Sequence, residues 1–413
     1  MSSRSVDVLL VGGGVAGAAC AAALREDGFS GTILLVGREP DPPYNRPPAS
    51  KDYLAGRTTR DDALYHPFDW YAEHDVELLT RVSVMQLDPA AHEATLSTRE
   101  TVAFGQALLA TGANVRRLPV DGSQLEGIHY LRALRNADAL REDVADAERV
   151  VLVGGSYIGS EVAATLTALG KQCAIVMQEE HPMATGFGAT AGRHLGELLS
   201  SHGIEIHGGE VVERLEGGGE RVERVVCASG LQLDAGAVVF GVGAVPDVML
   251  ARAAGLELGE RGGVRCDDRL RTSAEGIYAA GDMCQYDSVI HGRPLRVEHW
   301  DVAIQQARTA AANMLGADRP HDTVPYFFSD LDDWMALEYV GAADQGWDEE
   351  VVRGRLDDGA FTLWYLRDRR VAAALSVGRS DDLVHARRLI ASGTDVSARR
   401  AQLADPGSDL ADV

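Results

Sequence analysis

Two glycine-rich turns carry the first recognisable chemistry in this chain: Gly12-Gly13-Gly14-Val15-Ala16-Gly17 and Gly154-Gly155-Ser156-Tyr157-Ile158-Gly159. The first is a complete GxGxxG. Gly12 allows a tight turn, Gly14 lets the backbone approach a pyrophosphate, and Gly17 lets the following helix pack close to its strand. The helix N-terminus then faces the phosphates with the positive end of its dipole. The second turn keeps the spacing but places Ser156 at the middle glycine, where a small side chain is expected to set the pyrophosphate slightly outward. Two dinucleotide sites are predicted.

Further residues say which dinucleotides. An acidic side chain about 20 positions past such a loop reads ribose hydroxyls. Glu179 and Glu180 stand there in the second unit, with no arginine beside them, which predicts NADH rather than NADPH. In the first unit the corresponding stretch is Val36-Gly37-Arg38-Glu39, and either Arg38 or Glu39 must meet the adenosine. Ala110-Thr111-Gly112-Ala113 offers a glycine turn after a strand. Ala279-Ala280-Gly281-Asp282 puts a carboxylate at a strand end, where Asp282 can accept from ribityl hydroxyls. Two glycine loops plus Asp282 predict FAD in the first site.

The surrounding sequence supplies elements able to hold these residues. Val6–Val11 reads as a buried strand, Ala18–Arg25 as a helix and Ile33–Val36 as the next strand; Val150–Val153, Glu161–Leu169 and Ala174–Met177 repeat the order. Each βαβ unit implies a parallel sheet with helices on its faces. Short strands are expected over 76–109 and 205–242, and helices over Ala191–His202 and Val302–Leu315. Beyond about residue 322 strands dominate: Met335–Val340, Val351–Arg355, Phe361–Leu366 and Val371–Val377. A helix near Leu383–Ile390 follows, and the acidic end AQLADPGSDLADV is expected to fray.

Composition narrows the classes. With 413 residues, 46% of them hydrophobic, the chain suits two or three domains. A net charge of −23 disfavours nucleic acid. No apolar run approaches the ~20 residues of a membrane span, and the start reads as strand and loop rather than signal peptide. A cytoplasmic protein with no membrane association is expected. The five cysteines are scattered without CxxC spacing, so neither a metal site nor a redox disulfide is indicated, and buried packing is their expected role. Lys51 and Lys171 are the only lysines in the chain.

Several blocks together resemble the FAD-dependent pyridine nucleotide reductases, in particular the ferredoxin reductases of oxygenase systems and apoptosis-inducing factor. They are Tyr44-Asn45-Arg46-Pro47-Pro48-Ala49-Ser50-Lys51, Tyr157-Ile158-Gly159-Ser160-Glu161, Gly241-Val242-Gly243-Ala244-Val245-Pro246-Asp247, Ala280-Gly281-Asp282, Val297-Glu298-His299-Trp300 and Pro325-Tyr326-Phe327-Phe328-Ser329-Asp330. The likeness covers nearly the whole chain. It implies an α/β fold with two Rossmann-like nucleotide-binding domains, glutathione reductase-like, plus a C-terminal α+β domain. The implied boundaries are 1–119 and 244–321 for FAD, 120–243 for NAD and 322–413 for the C-terminal domain.

The resemblance also implies roles. Lys51 would lie near flavin N5 and pair with Glu161; Trp300 would approach the nicotinamide and the flavin ring. Arg132 would reach the FAD phosphates or adenine side and Val84 the adenine, with Arg46, Pro47, Glu298 and His299 in the same FAD site. Val242 and Gly243 would line the NAD site. The chain departs from the usual pattern at Arg38 for Asp, Ala49 for Leu, Ser156 for Gly, Asp247 for Asn and Phe328 for Trp. Disulfide reductases of this fold carry redox cysteine near 40–55, and this chain has none there. The implied function is an NADH-dependent ferredoxin reductase, passing single electrons from FAD to an iron–sulfur ferredoxin that feeds a Rieske oxygenase or cytochrome P450, as a monomer or homodimer. The alternatives are an NADH oxidase, rubredoxin or monodehydroascorbate reductase on the same scaffold, or a redox-signalling flavoprotein.

Overall fold

The aliphatic run Val8–Val11 is buried on both faces of its sheet, which makes β1 (Ser3–Val11) a central strand in the computed structural model of residues 3–413. It leads through the first glycine turn into α1 (Val15–Glu26) and on to β2 (Ile33–Val36). β1 lies between β2 and the strand Thr101–Leu109, parallel to both; Val76–Leu79 extends the sheet beyond β2, and Ile277–Ala279 pairs beyond Thr101–Leu109. The register sets Val11 against Val36 and Leu109, and Leu109 against Ala279. Four strand ends therefore finish at one edge. α1 packs on the helix Trp300–Met314, and both bury alanines at the contact, which lets the backbones come close.

The second parallel sheet grows the same way from β3 (Arg149–Val153), α2 (Tyr157–Ala168) and β4 (Gln172–Val176). Its order is Glu205–His207, β4, β3, Ala237–Phe240, Ile128–Tyr130. Val153 is level with Val176 and Phe240, so these strands too end together. A three-stranded antiparallel sheet over Val212–Asp234 shares a buried cluster with it that includes Val151, Leu215, Val225 and Phe240.

The C-terminal strands are β5 (Tyr326–Leu331), β6 (Met335–Gly341), β7 (Glu349–Arg355), β8 (Ala360–Arg367) and β9 (Arg370–Val377). They form one antiparallel sheet in the order β5-β6-β9-β8-β7, with α3 (Asp382–Ser392) packed against it. The expected fraying of the acidic end is corrected. Leu403 and Leu410 are buried, and Arg353 donates to the carbonyls of Gln402, Asp405 and Ser408. Arg388 donates to those of Leu410 and Val413. Two arginines thus tie down a segment whose composition reads as solvated.

By contacts the chain forms two units. The first holds residues up to Asn45 with Asp61–Asn114 and Val245–Pro325; the second holds Arg46–Arg60, Val115–Ala244 and Tyr326–Val413. Residues 46–60, expected within the first nucleotide-binding domain, belong to the second unit, as does the C-terminal sheet. Among the described residues no helix is long and apolar enough to cross a membrane.

Candidate functional site

In the first unit, the carboxyl edge of the sheet gathers the residues that follow each strand. Gly12 has φ +132°, and a Cβ there would stand 2.1 Å from the Ala110 carbonyl oxygen. Only glycine lets the loop press against Ala110-Thr111-Gly112. A Cβ on Gly17 would meet the Gly12 oxygen at 2.2 Å, whereas one on Gly14 would meet nothing within 4 Å. The middle glycine therefore faces open space beside the α1 N-terminus, where no side chain caps the helix and no acidic residue occupies the first turn. Val15 and Ala16 supply main-chain N–H groups there. That geometry fits a pyrophosphate.

Gly281 closes the same edge. Its N–H donates to Gln306 Oε1 at 2.8 Å, and a Cβ on it would lie 3.5 Å from Ala303 Cβ and 3.6 Å from Ala16 Cβ. Arg296 donates to the Asp282 carbonyl at 3.1 Å and is ion-paired with Glu298. Thr111 spends its hydroxyl on the Asp247 carbonyl, 2.5 Å away. Trp300, partly buried and preceded by the N-cap His299, starts its helix and donates its indole N–H to Asn45 Oδ1 at 3.0 Å. Val84 begins the strand Val84–Asp88, paired with Leu96.

The two residues left open for the adenosine are engaged differently. Arg38 Nη1 lies 2.9 Å from Asp247 Oδ2 and Nη2 is 2.7 Å from Asn114 Oδ1. Two of the departures from the family pattern therefore meet each other. Glu39 accepts from the Tyr44 hydroxyl at 2.6 Å.

The second sheet repeats the construction. A Cβ on Gly154 would stand 2.5 Å from the Gly241 oxygen, bringing Gly241-Val242-Gly243 against the loop. Ser156 caps α2 by position only; its hydroxyl donates to the Gly241 carbonyl at 2.7 Å. The expected outward push on a pyrophosphate is thereby corrected, because the side chain is turned inward by this bond. Met183 N–H donates to the Gly155 carbonyl at 2.7 Å. Tyr157 is half-buried against Phe327, with ring centroids 4.4 Å apart, and the withdrawal of its hydroxyl from water pushes it up to about 12. Ile158 is exposed beside it. Past β4, Glu179 and Glu180 are exposed; the Glu179 carboxylate accepts from Thr185 at 3.1 Å and its carbonyl accepts from Gly209 N–H.

Arg46, Pro47, Lys51 and Arg132 lie in the second unit. Arg46 donates to the Arg132 carbonyl at 2.7 Å. Pro47 opens the 3₁₀ turn Pro47–Ser50, which suits its fixed φ and delivers Ser50 and Lys51 to α2. Lys51 Nζ is 2.8 Å from Glu161 Oε1. Glu161 is 5% exposed, a burial that a carboxylate tolerates only when paired and hydrogen-bonded. The Ser50 hydroxyl donates to its Oε2 at 2.5 Å and the Ser329 hydroxyl to its Oε1 at 2.6 Å. The Phe328 ring centroid is 5.4 Å from the ammonium. Burial holds the neighbouring Asp330 carboxyl above the usual range against the pull of Lys51, and Glu161, Asp52 and Glu338 add to the rise. Ser50 and Ser329 sit in recognisable blocks, yet their types gave no hint of a role.

Comparison with known proteins places this construction. Residues 6–307 match the pyridine nucleotide-disulphide oxidoreductase family and residues 326–413 the reductase C-terminal family. The chain is 36% identical over 409 residues to the 5,5'-dehydrodivanillate O-demethylase ferredoxin reductase subunit of Sphingobium sp., covering 98% of each chain. The ferredoxin reductase for the CYP199A2 system from Rhodopseudomonas palustris superposes with a TM-score of 0.93 at 32% identity, over 98% of this chain and 99% of that one. In the covalent putidaredoxin reductase–putidaredoxin complex the match has a TM-score of 0.92 at 31% identity, over 98% and 97%.

The chain belongs to the pyridine nucleotide-disulphide oxidoreductase family. Within it, the chain is an FAD-dependent oxidoreductase that uses NAD(H), similar from end to end to ferredoxin reductases of oxygenase systems.

Proposed function

We propose that this chain takes electrons from NADH into FAD and passes them singly to an iron–sulfur ferredoxin serving a Rieske oxygenase or cytochrome P450. One observation carries the last step. All five cysteines are buried and free, and none falls in residues 40–55, which supports electrons leaving directly from flavin rather than through a dithiol. FAD, when bound, accepts two electrons at once from a nicotinamide and can release them one at a time.

The residues divide the remaining work. The Gly12–Gly17 loop and the α1 N-terminus bind the FAD pyrophosphate. Asp282 would take the ribityl hydroxyls, and Glu39, a carboxylate able to accept from ribose hydroxyls, would take the adenosine ribose, with Arg38 paired to Asp247. Gly154–Gly159 holds the NADH pyrophosphate, and Glu179 with Glu180 reads its ribose. Lys51, oriented by Glu161, would supply a compact ammonium to the flavin and so favour its acceptance of electrons. Trp300 offers its indole face to the nicotinamide. No general acid or base is required for electron entry.

The test is anaerobic. The purified protein, yellow with one non-covalent FAD per chain, should bleach on NADH and regain its colour on addition of a ferredoxin. A colourless protein that cannot be reconstituted with FAD would refute the reading.

A further inference from the structure

Glu161 is a buried carboxylate with three donors converging on it from two separate parts of the second unit. Lys51 and Ser50 come from the Pro47 turn, and Ser329 comes from β5 of the C-terminal sheet. Ser329 is fully buried and Ser50 nearly so. A hydroxyl has one hydrogen to give. Ser50 gives its hydrogen to Glu161 at 2.5 Å, with the Pro47 carbonyl a weaker alternative at 3.3 Å. One turn further along α2, the Thr165 hydroxyl donates to the Ser50 carbonyl at 2.8 Å. The same helix face thus grips the Ser50-Lys51 main chain and the Lys51 ammonium at two points, four residues apart.

Charge balance gives this arrangement a consequence. A carboxylate with only Lys51 for a partner would keep its negative charge undispersed beside the ammonium and offset more of its field. Hydroxyl donors at 2.5 and 2.6 Å are short and charge-assisted, and they take up part of the negative charge of Glu161. More of the positive field of Lys51 is then left for what lies beyond it.

We propose that Ser329 and Ser50 are positioning residues for electron entry: by donating to Glu161 they fix Lys51 and leave its charge available to the flavin, so the C-terminal sheet contributes to reduction by NADH. This rests on the reading above that Lys51 faces the flavin. Ser329 touches neither nicotinamide nor flavin in this account and acts only through Glu161.

The test compares Ser329→Ala, Ser50→Ala, Lys51→Met and a control, Ser376→Ala, all as FAD-bound protein. Ser376 is an equally buried serine of the same C-terminal sheet whose hydroxyl meets no partner among the described residues. Two quantities are read: the rate of anaerobic flavin reduction by NADH and the flavin midpoint potential from a photoreduction titration. Loss of either donor to Glu161 should slow reduction roughly three- to tenfold, the size of one net hydrogen bond, and move the potential to more negative values. Ser329→Thr, which keeps the hydroxyl, should recover most of both, and Ser376→Ala should change neither. Ser329→Ala and Ser50→Ala at unaltered rate and potential, beside a slowed Lys51→Met, would overturn the proposal and leave the Lys51 reading standing. An unaltered Lys51→Met would remove the reading itself, and the proposal with it. If Ser329→Ala does not fold, Ser50→Ala decides between the same outcomes.

Discussion

Lys51 and Glu161 stand 110 positions apart in sequence and meet at 2.8 Å, with both side chains largely withdrawn from water. One is among only two lysines in the chain, so its placement opposite a buried carboxylate is a selective use of a rare residue. Breaking such a pair from one side leaves an uncompensated buried charge, which costs about 3–5 kcal/mol of stability. Lys51→Met should keep FAD bound, slow flavin reduction about tenfold or more and lower its potential, tenfold being ~1.4 kcal/mol in the barrier. Lys51→Arg should not restore the rate, because a guanidinium is broader and its charge more spread. Glu161→Gln should do less, and the double variant should fall short of the sum. Stopped-flow reduction by NADH reads all four variants.

The first glycine loop separates folding from binding. Gly12→Ala would force a Cβ to 2.1 Å from backbone at Ala110 in a conformation that side chains avoid, so the loop and its flavin should both be lost. Gly14→Ala meets nothing in the protein. It should leave the melting temperature of the flavin-free protein unchanged and weaken FAD. Equal FAD affinity for Gly14→Ala and the unaltered chain would remove the pyrophosphate from this site.

Cofactor choice should follow Glu179 and Glu180. A 2′-phosphate beside these exposed carboxylates is repelled, and the penalty should be about 1 kcal/mol in favour of NADH. Substituting both by alanine should narrow the kcat/KM ratio of NADH to NADPH chiefly by raising the second value. A ratio near one for the unaltered protein would contradict this.

His321 gives a pH prediction for stability. It is 2% exposed, its Nδ1 is 3.0 Å from the Thr309 hydroxyl, and burial pushes its pKa down to about 4 despite the opposing pull of Asp322. Between the ordinary value of 6.5 and 4, the unfolded chain takes up a proton that the folded chain refuses. Stability should therefore fall as pH drops through that window, by on the order of 3 kcal/mol, and level off below it. Urea unfolding of His321→Gln should lose this component; an identical decline in both proteins would assign the acid sensitivity elsewhere.

Local signals made the glycine loops and their strands legible, because each depends on residue types within a few positions. The long-range contacts were not. Ser329 reaches Glu161 across 168 positions and Arg38 reaches Asp247 across 209, and neither hydroxyls nor exposed arginines leave a periodic trace. Ser156 read as an intrusion into the phosphate path because the acceptor that turns it inward, Gly241, is remote in sequence. The acidic C-terminus read as solvated because the arginines that hold it, Arg353 and Arg388, lie before it on other elements.

Steady-state cytochrome c reduction reads the proposed transfer of electrons to an iron–sulfur partner. With NADH and FAD-bound protein alone the rate should be low. Adding a ferredoxin from a panel of oxygenase systems should raise it steeply and saturably, with NADH consumed in step. Rapid NADH consumption indifferent to every ferredoxin, or a long-lived reduced protein that passes electrons to none of them, would contradict the account.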